Sequence, residues 1–118
     1  MTISPEERQQ AARGSIGSLV ATSLALAWAR LWRAEIRYDA GTRLLVATGR
    51  GGFGRGVTVG GVFLAGRSSS PALLRHQAVH AEQWAKYGLV FPLRYLLEEL
   101  GRPGRMNRFE IEAGLKDG

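Results

Sequence analysis

Cysteine is missing from all 118 residues, which excludes disulfides and thiolate metal ligands. Histidine is nearly missing too: only His76 and His80 occur, so a metal site would have to combine this pair with carboxylates. Acidic residues are in deficit, ten against sixteen basic, giving a net charge of +6. Such a balance favours anionic surfaces. Yet fourteen of the basic residues are arginines scattered singly from Arg8 to Arg108, without a basic block or an aromatic ladder. They read mostly as solvated surface, and nucleic acid is a disfavoured partner. A chain of this length holds one modest core, and we read residues 1–118 as a single domain with a helical part over about 1–34 and a sheet and site over about 35–118.

A long apolar run is also lacking. The nearest is residues 15–29, SIGSLVATSLALAWA, short of the roughly 20 residues a membrane span needs. Arg13 before it and Ala27-Trp28-Ala29 at its end imitate an export signal. On a helical wheel, Ser15, Ser18, Thr22, Ala29 and Arg33 share one side, with Ile16, Val20, Leu24, Leu31 and Trp32 on others. This stripe suits a helix packed on a core, so a cytoplasmic location is favoured over export, and membrane association is not favoured.

What is present orders itself simply. Ser4-Pro5-Glu6-Glu7 opens a helix that Gly14 interrupts, and a second helix is expected over about 16–33. AEIRYD, RLLVATG and GVTVGGVFLAG then read as three strands, at least partly antiparallel, with a turn at Asp39-Ala40-Gly41. Ser70-Pro71 starts a helix ending near Gly88, Pro92 starts another, and Asn107 caps a last one. The class is α+β. GRGGFG, residues 49–54, satisfies a dinucleotide-loop pattern, but a strand signal follows it instead of a helix, so it reads as a hairpin connection.

The chemistry sits in RHQAVHAEQW, residues 75–84. Residues four apart on a helix differ by about 40° in direction, so His76 and His80 can reach one point beside it, as a helical zinc pair requires. Spacing alone fits equally two exposed or hydrogen-bonded histidines, and a third ligand decides between these readings. Gln83 shares their face, Gln77 lies on the flank, and Glu82 points about 160° away. Downstream candidates are Glu110 and Glu112, only one of which can face the pair. Glu110, three residues after Asn107, also fits a capping box. Glu98 and Glu99 read as a solvated helix end, and Tyr87 and Tyr95 as packing aromatics first and as oxyanion-stabilising donors near a metal second.

HQAVHAEQWAKYG together with NRFEIEAG resembles a family of short bacterial zincin-like, gluzincin-type metallopeptidase-like domains, and the similarity extends to GVTVGGVFLAG, covering about residues 35–118. The resemblance implies a minimal zincin-like fold with zinc held by His76, His80 and Glu110. Gln83, Asn107 and Glu112 become supporting residues, and the strand before the site helix becomes an edge for an extended peptide or protein partner. The departure is Gln77, where the family carries the glutamate of H-E-x-x-H. That carboxylate accepts the proton of a metal-activated water, which an amide cannot do at neutral pH. The resemblance therefore implies zinc binding with absent or very low peptidase activity, as in a natural pseudoenzyme or a deliberately inactivated variant. The alternatives are a non-catalytic peptide-binding module and a basic peripheral protein on membranes or nucleic acid.

Overall fold

The computed structural model describes residues 3–49, 56–65 and 70–114, without the side chain of Arg105. Helix α1 spans Pro5–Ala12. Its start is a reciprocal capping box: Ser4 Oγ accepts from the Glu7 amide and the Glu7 carboxylate accepts from the Ser4 amide. Arg13 turns left-handed and Gly14 follows it there, ending the helix where the sequence indicates. Helix α2 covers Ile16–Leu31, with Ser15 as its cap. Strands β1, Glu35–Asp39, and β2, Leu44–Thr48, form an antiparallel pair. The Asp39 carboxylate accepts from the Thr42 amide and hydroxyl to close the turn between them.

GVTVGGVFLAG differs from the single strand expected. It is a tight hairpin, β3 at Val57–Val59 and β4 at Val62–Ala65, so the sheet has four strands in the order β1-β2-β4-β3. The β2–β4 pairing is parallel and the others antiparallel. The cause is Gly60-Gly61: with φ of +60° at Gly60, the chain reverses after only three residues. GRGGFG lies outside the described residues beyond Gly49, and the chain re-enters description at Gly56, just before β3.

The two central strands are buried on both faces, which is why LLVA and VFLA show no alternation. Leu45, Ala47, Val62 and Leu64 meet α1 and α2 on one side. Leu44, Val46, Phe63 and Ala65 meet Leu74 and Ala81 of the site helix α3, Pro71–Tyr87, on the other. Past the β3 edge, α3 leads through a 3-10 turn, Gly88–Val90, into α4, Phe91–Gly101, and then α5, Arg108–Ala113. Trp84, Phe91, Phe109 and Ala21 form a separate cluster under these elements.

Helix α2 packs on the core as expected, but with the opposite face from that usual in soluble proteins. Ser18, Thr22, Ala25 and Ala29 are buried beside a single large apolar residue, Leu26, while Ile16, Leu24 and Leu31 point outward. The reason is the β3–β4 turn. A Cβ on Gly61 would stand 2.2 Å from the Ala11 carbonyl oxygen, and one on Gly60 would stand 2.6 Å from the Thr22 amide nitrogen. Backbone this close leaves room only for small side chains, and the Gly61 amide donates to Thr22 Oγ1 at 2.9 Å. Gly61→Ala is therefore expected to cost about 2 kcal/mol or more by overpacking, read as a lowered urea midpoint with an unchanged slope.

Candidate metal centre

Helix α3 puts His76 and His80 on one buried face, their ring centroids 4.9 Å apart. Helix α5 brings Glu110 against them. Its Oε1 lies 3.1 Å from Nε2 of each ring. The three ligand atoms fall within 4.8 Å of one another, a group that can hold a metal ion. A tetrahedral zinc with ligands at 2.0–2.1 Å has ligand-to-ligand edges of about 3.3 Å, close to the two observed separations.

The outer ring nitrogens fix the tautomer that each ring takes when neutral. His76 Nδ1 is 2.8 Å from the Gly114 carbonyl oxygen, which can only accept. His80 Nδ1 is 2.8 Å from Gln83 Oε1. The Gln83 amide cannot be reversed, because its Nε2 donates to Phe109 O at 3.0 Å and to Glu112 Oε1 at 2.7 Å. Both Nδ1 atoms are therefore donors, and in the neutral rings both Nε2 atoms present lone pairs toward an anionic oxygen. Such a cluster needs positive charge at its centre, a ring proton or a metal cation. Outer hydrogen bonds of this type orient imidazole ligands of zinc.

Glu110 is held ionised. Its hydrogen bond to His80, made when a ring proton sits between them, outweighs the burial that opposes ionisation, and with a further hydrogen bond from Tyr95 the carboxyl is lowered to about 2. Tyr95 Oη donates to Glu110 Oε2. Burial first, and then this bond, push its phenol well above the ordinary value, so it stays a neutral donor. Tyr95 is thus more than the packing aromatic expected. It orients Glu110 so that Oε1 faces the rings. No local pattern signals this contact across fifteen residues, and the packing of Tyr95 among Phe91 and Phe109 masks it.

The other expectations sort by geometry. Gln83 is brought to His80, and Glu112 reaches the site through Gln83. Asn107 does not touch the rings: it caps α5 through Oδ1 to the Phe109 amide at 2.9 Å. Glu110 is not the capping-box partner, since its carboxylate is turned inward. Glu98 and Glu99 are not merely a solvated helix end. They accept from the Arg108 and Gly104 amides and so tie α4 to the turn before α5. Tyr87 packs on Phe91 and Phe109. Glu82 faces away, paired with Arg13 and Arg43.

A cleft of about 480 Å³ opens above the three ligands, with β3 on one wall and α4 on the other. Gln77 lies in it beside the histidines. Its Oε1 accepts from Thr58 Oγ1 at 2.8 Å, and Trp84 Nε1 donates to Thr58 O at 2.9 Å, fixing β3 over α3. No protein-family model, curated protein or solved structure matches this chain.

Loss of the Tyr95 hydrogen bond in Tyr95→Phe removes one influence that lowers the Glu110 pKa, so that pKa should rise and metal affinity should fall about tenfold or more. A carboxyl-resonance titration and a zinc isotherm check the two halves. In the metal-free protein, the stabilisation tied to the lowered Glu110 pKa is complete above its ordinary range of about 4.5 and lost as pH falls through about 2.

Proposed function

We propose that this chain is a zinc-binding, metallopeptidase-like domain, with His76, His80 and Glu110 as ligands and hydrolysis absent or strongly impaired by Gln77. The observation that carries the reading is the meeting of His76 Nε2, His80 Nε2 and Glu110 Oε1 at the floor of a cleft. Two imidazoles and a carboxylate at these separations are a donor set that would suit zinc, held by His76, His80 and Glu110 at the cleft floor. The similarity of HQAVH and NRFEIEAG to the zincin-like family supports the same reading.

When bound, zinc supplies a Lewis acid that polarises a carbonyl and acidifies water. The chain's residues then set what can follow. Gln77 occupies the general-base position, but its Oε1 already accepts a hydrogen bond from the Thr58 hydroxyl, and an amide oxygen is too weak a base to take up a proton at neutral pH. Gln77 Nε2, bonded to no described residue, leaves a donor for a ligand oxygen. Tyr95 and Gln83 hold Glu110 and His80 in place. Phe91, Pro92 and Leu96 give the wall opposite β3 an apolar character that suits an apolar side chain of a bound peptide.

A peptide-binding module without catalysis is the second reading, and it has its own support. A segment laid along β3 would share Thr58 O with Trp84, so side-chain contacts in the cleft would contribute more than strand pairing.

Elemental analysis of untagged protein should find about one zinc per chain, and His80→Ala should lose it. The absence of zinc after reconstitution overturns the metal reading. Gln77→Glu keeps an acceptor for Thr58, so it should fold, and it should gain zinc-dependent cleavage in a broad peptide library by at least about 100-fold over the parent chain. Zinc binding without any gain in that variant favours the binding module.

A further inference from the structure

The outward face of α2 is the strongest feature that the metal site does not absorb. Ile16, Val20, Leu24, Trp28 and Leu31 share it, and Ile16, Leu24 and Leu31 are 82%, 65% and 73% exposed. Apart from the buried Leu26, the inward face is small and partly polar, whereas a helix in a soluble core usually turns most of its bulky apolar residues inward. At the border of the outward face, Gly17 touches the backbone of Gly88 and Leu89. The apolar surface therefore continues onto exposed Leu89 and Val90, and then along α4 through Leu93 and Leu97. Contiguous apolar surface of this extent marks a partner protein or a membrane.

Charge decides between them. Arg30 and Arg33 are exposed at the end of α2 where Trp28 and Trp32 pack edge to face, 5.6 Å apart. Lys86 and Arg94 flank the Tyr87 ring beside Leu89 and Leu93, at 5.3 and 5.0 Å from its centre. Apolar surface rimmed by Trp, Tyr, Arg and Lys suits the headgroup boundary of a bilayer, where rings sit at the interface and cations meet phosphates. A second copy of this basic chain, docked face to face, would set the same cations against each other.

We propose that the outward face of α2, with the Gly88–Val90 turn and the exposed side of α4, is a peripheral docking surface for anionic lipid bilayers. The attachment is in-plane. Among the described residues no helix is long and apolar enough to cross a membrane. Helix α2, about 24 Å long, lies along the surface with its leucines among the upper acyl chains.

The test uses the full chain and vesicles of phosphatidylcholine, alone or mixed with phosphatidylglycerol. Sedimentation should find binding to the mixed vesicles that weakens with salt and is much lower on phosphatidylcholine alone. Lipids brominated on the upper acyl chain should quench Trp28 and Trp32 fluorescence, leaving buried Trp84 as background. The double variant Leu24→Glu/Leu31→Glu should lose at least about tenfold in binding. Arg30→Gln and Arg33→Gln should each lose about fivefold on mixed vesicles only. All four positions are exposed, so circular dichroism and zinc content should be unchanged, and failure here leaves the zinc reading standing. The proposal is overturned by no binding to either vesicle, by binding indifferent to both sets of variants, or by a dimer that ignores vesicles and is split by the leucine pair.

Discussion

The close approach of the Gly60-Gly61 turn to α1 and α2 is the constraint from which most of the structure follows. Because the turn presses against Ala11 and Thr22, it can carry no side chain, and the helices above it must offer small residues there. That demand explains the buried Ser18, Thr22, Ala25 and Ala29 stripe, and it leaves most bulky residues of α2, the buried Leu26 apart, to the outward face. The same turn anchors β3 at the sheet edge, where Thr58 meets Gln77 and Trp84 of α3. One pair of glycines thus joins the N-terminal helices, the wall of the cleft and the helix that bears the histidines.

Helix α3 has two separate duties, divided by its period. Leu74 and Ala81 cover the sheet, whereas His76, His80 and Gln83 face α5. Neither α3 nor α5 completes the centre alone. Helix α5 is only six residues long and is held by interactions at its ends: the Asn107 cap, the Glu98 contact with the Arg108 amide, and His76 against Gly114 O. Such a short helix has little intrinsic stability. A cation shared by α3 and α5 would couple metal binding to the order of the C-terminal segment.

Local signals in the sequence were reliable because they depend on neighbours along the chain. Ser4, Ser70 and Asn107 cap helices as their types and positions indicate, and the i, i+4 histidine pair lands on one face. The α+β class followed from the order of such signals. Signals that depend on distant neighbours were not legible. VTVGGVFLA reads as one strand unless the backbone of α1 is known to block anything but a reversal at the glycines. The α2 wheel shows two faces but not which one the core selects, since that choice lies in the depth of the β3–β4 turn. Glu110 fits a capping box by spacing, and only the position of α3 turns it inward. Tyr95 gains its role through a contact across fifteen residues, which no local pattern encodes.

Helix α4 links the two proposals. One side carries Tyr95, Phe91 and Leu96 toward the cleft, and the other exposes Leu93 and Leu97. If α4 rests on a bilayer, the apolar wall of the cleft is continuous with the membrane boundary, separated from it by a single helix diameter of about 10 Å. Ligands that partition into that boundary, such as apolar or membrane-proximal peptides, would then be concentrated near the cleft without any tighter intrinsic affinity. Electrostatics would act in the same direction only for the protein: on an anionic bilayer the arginines would draw the chain in, while the ionised Glu110 near the cleft floor would repel lipid phosphate unless its charge is met by a cation. Metal occupancy and membrane attachment would therefore be mutually compatible, and the cleft in its metal-bound form would be the one better suited to an anionic surface.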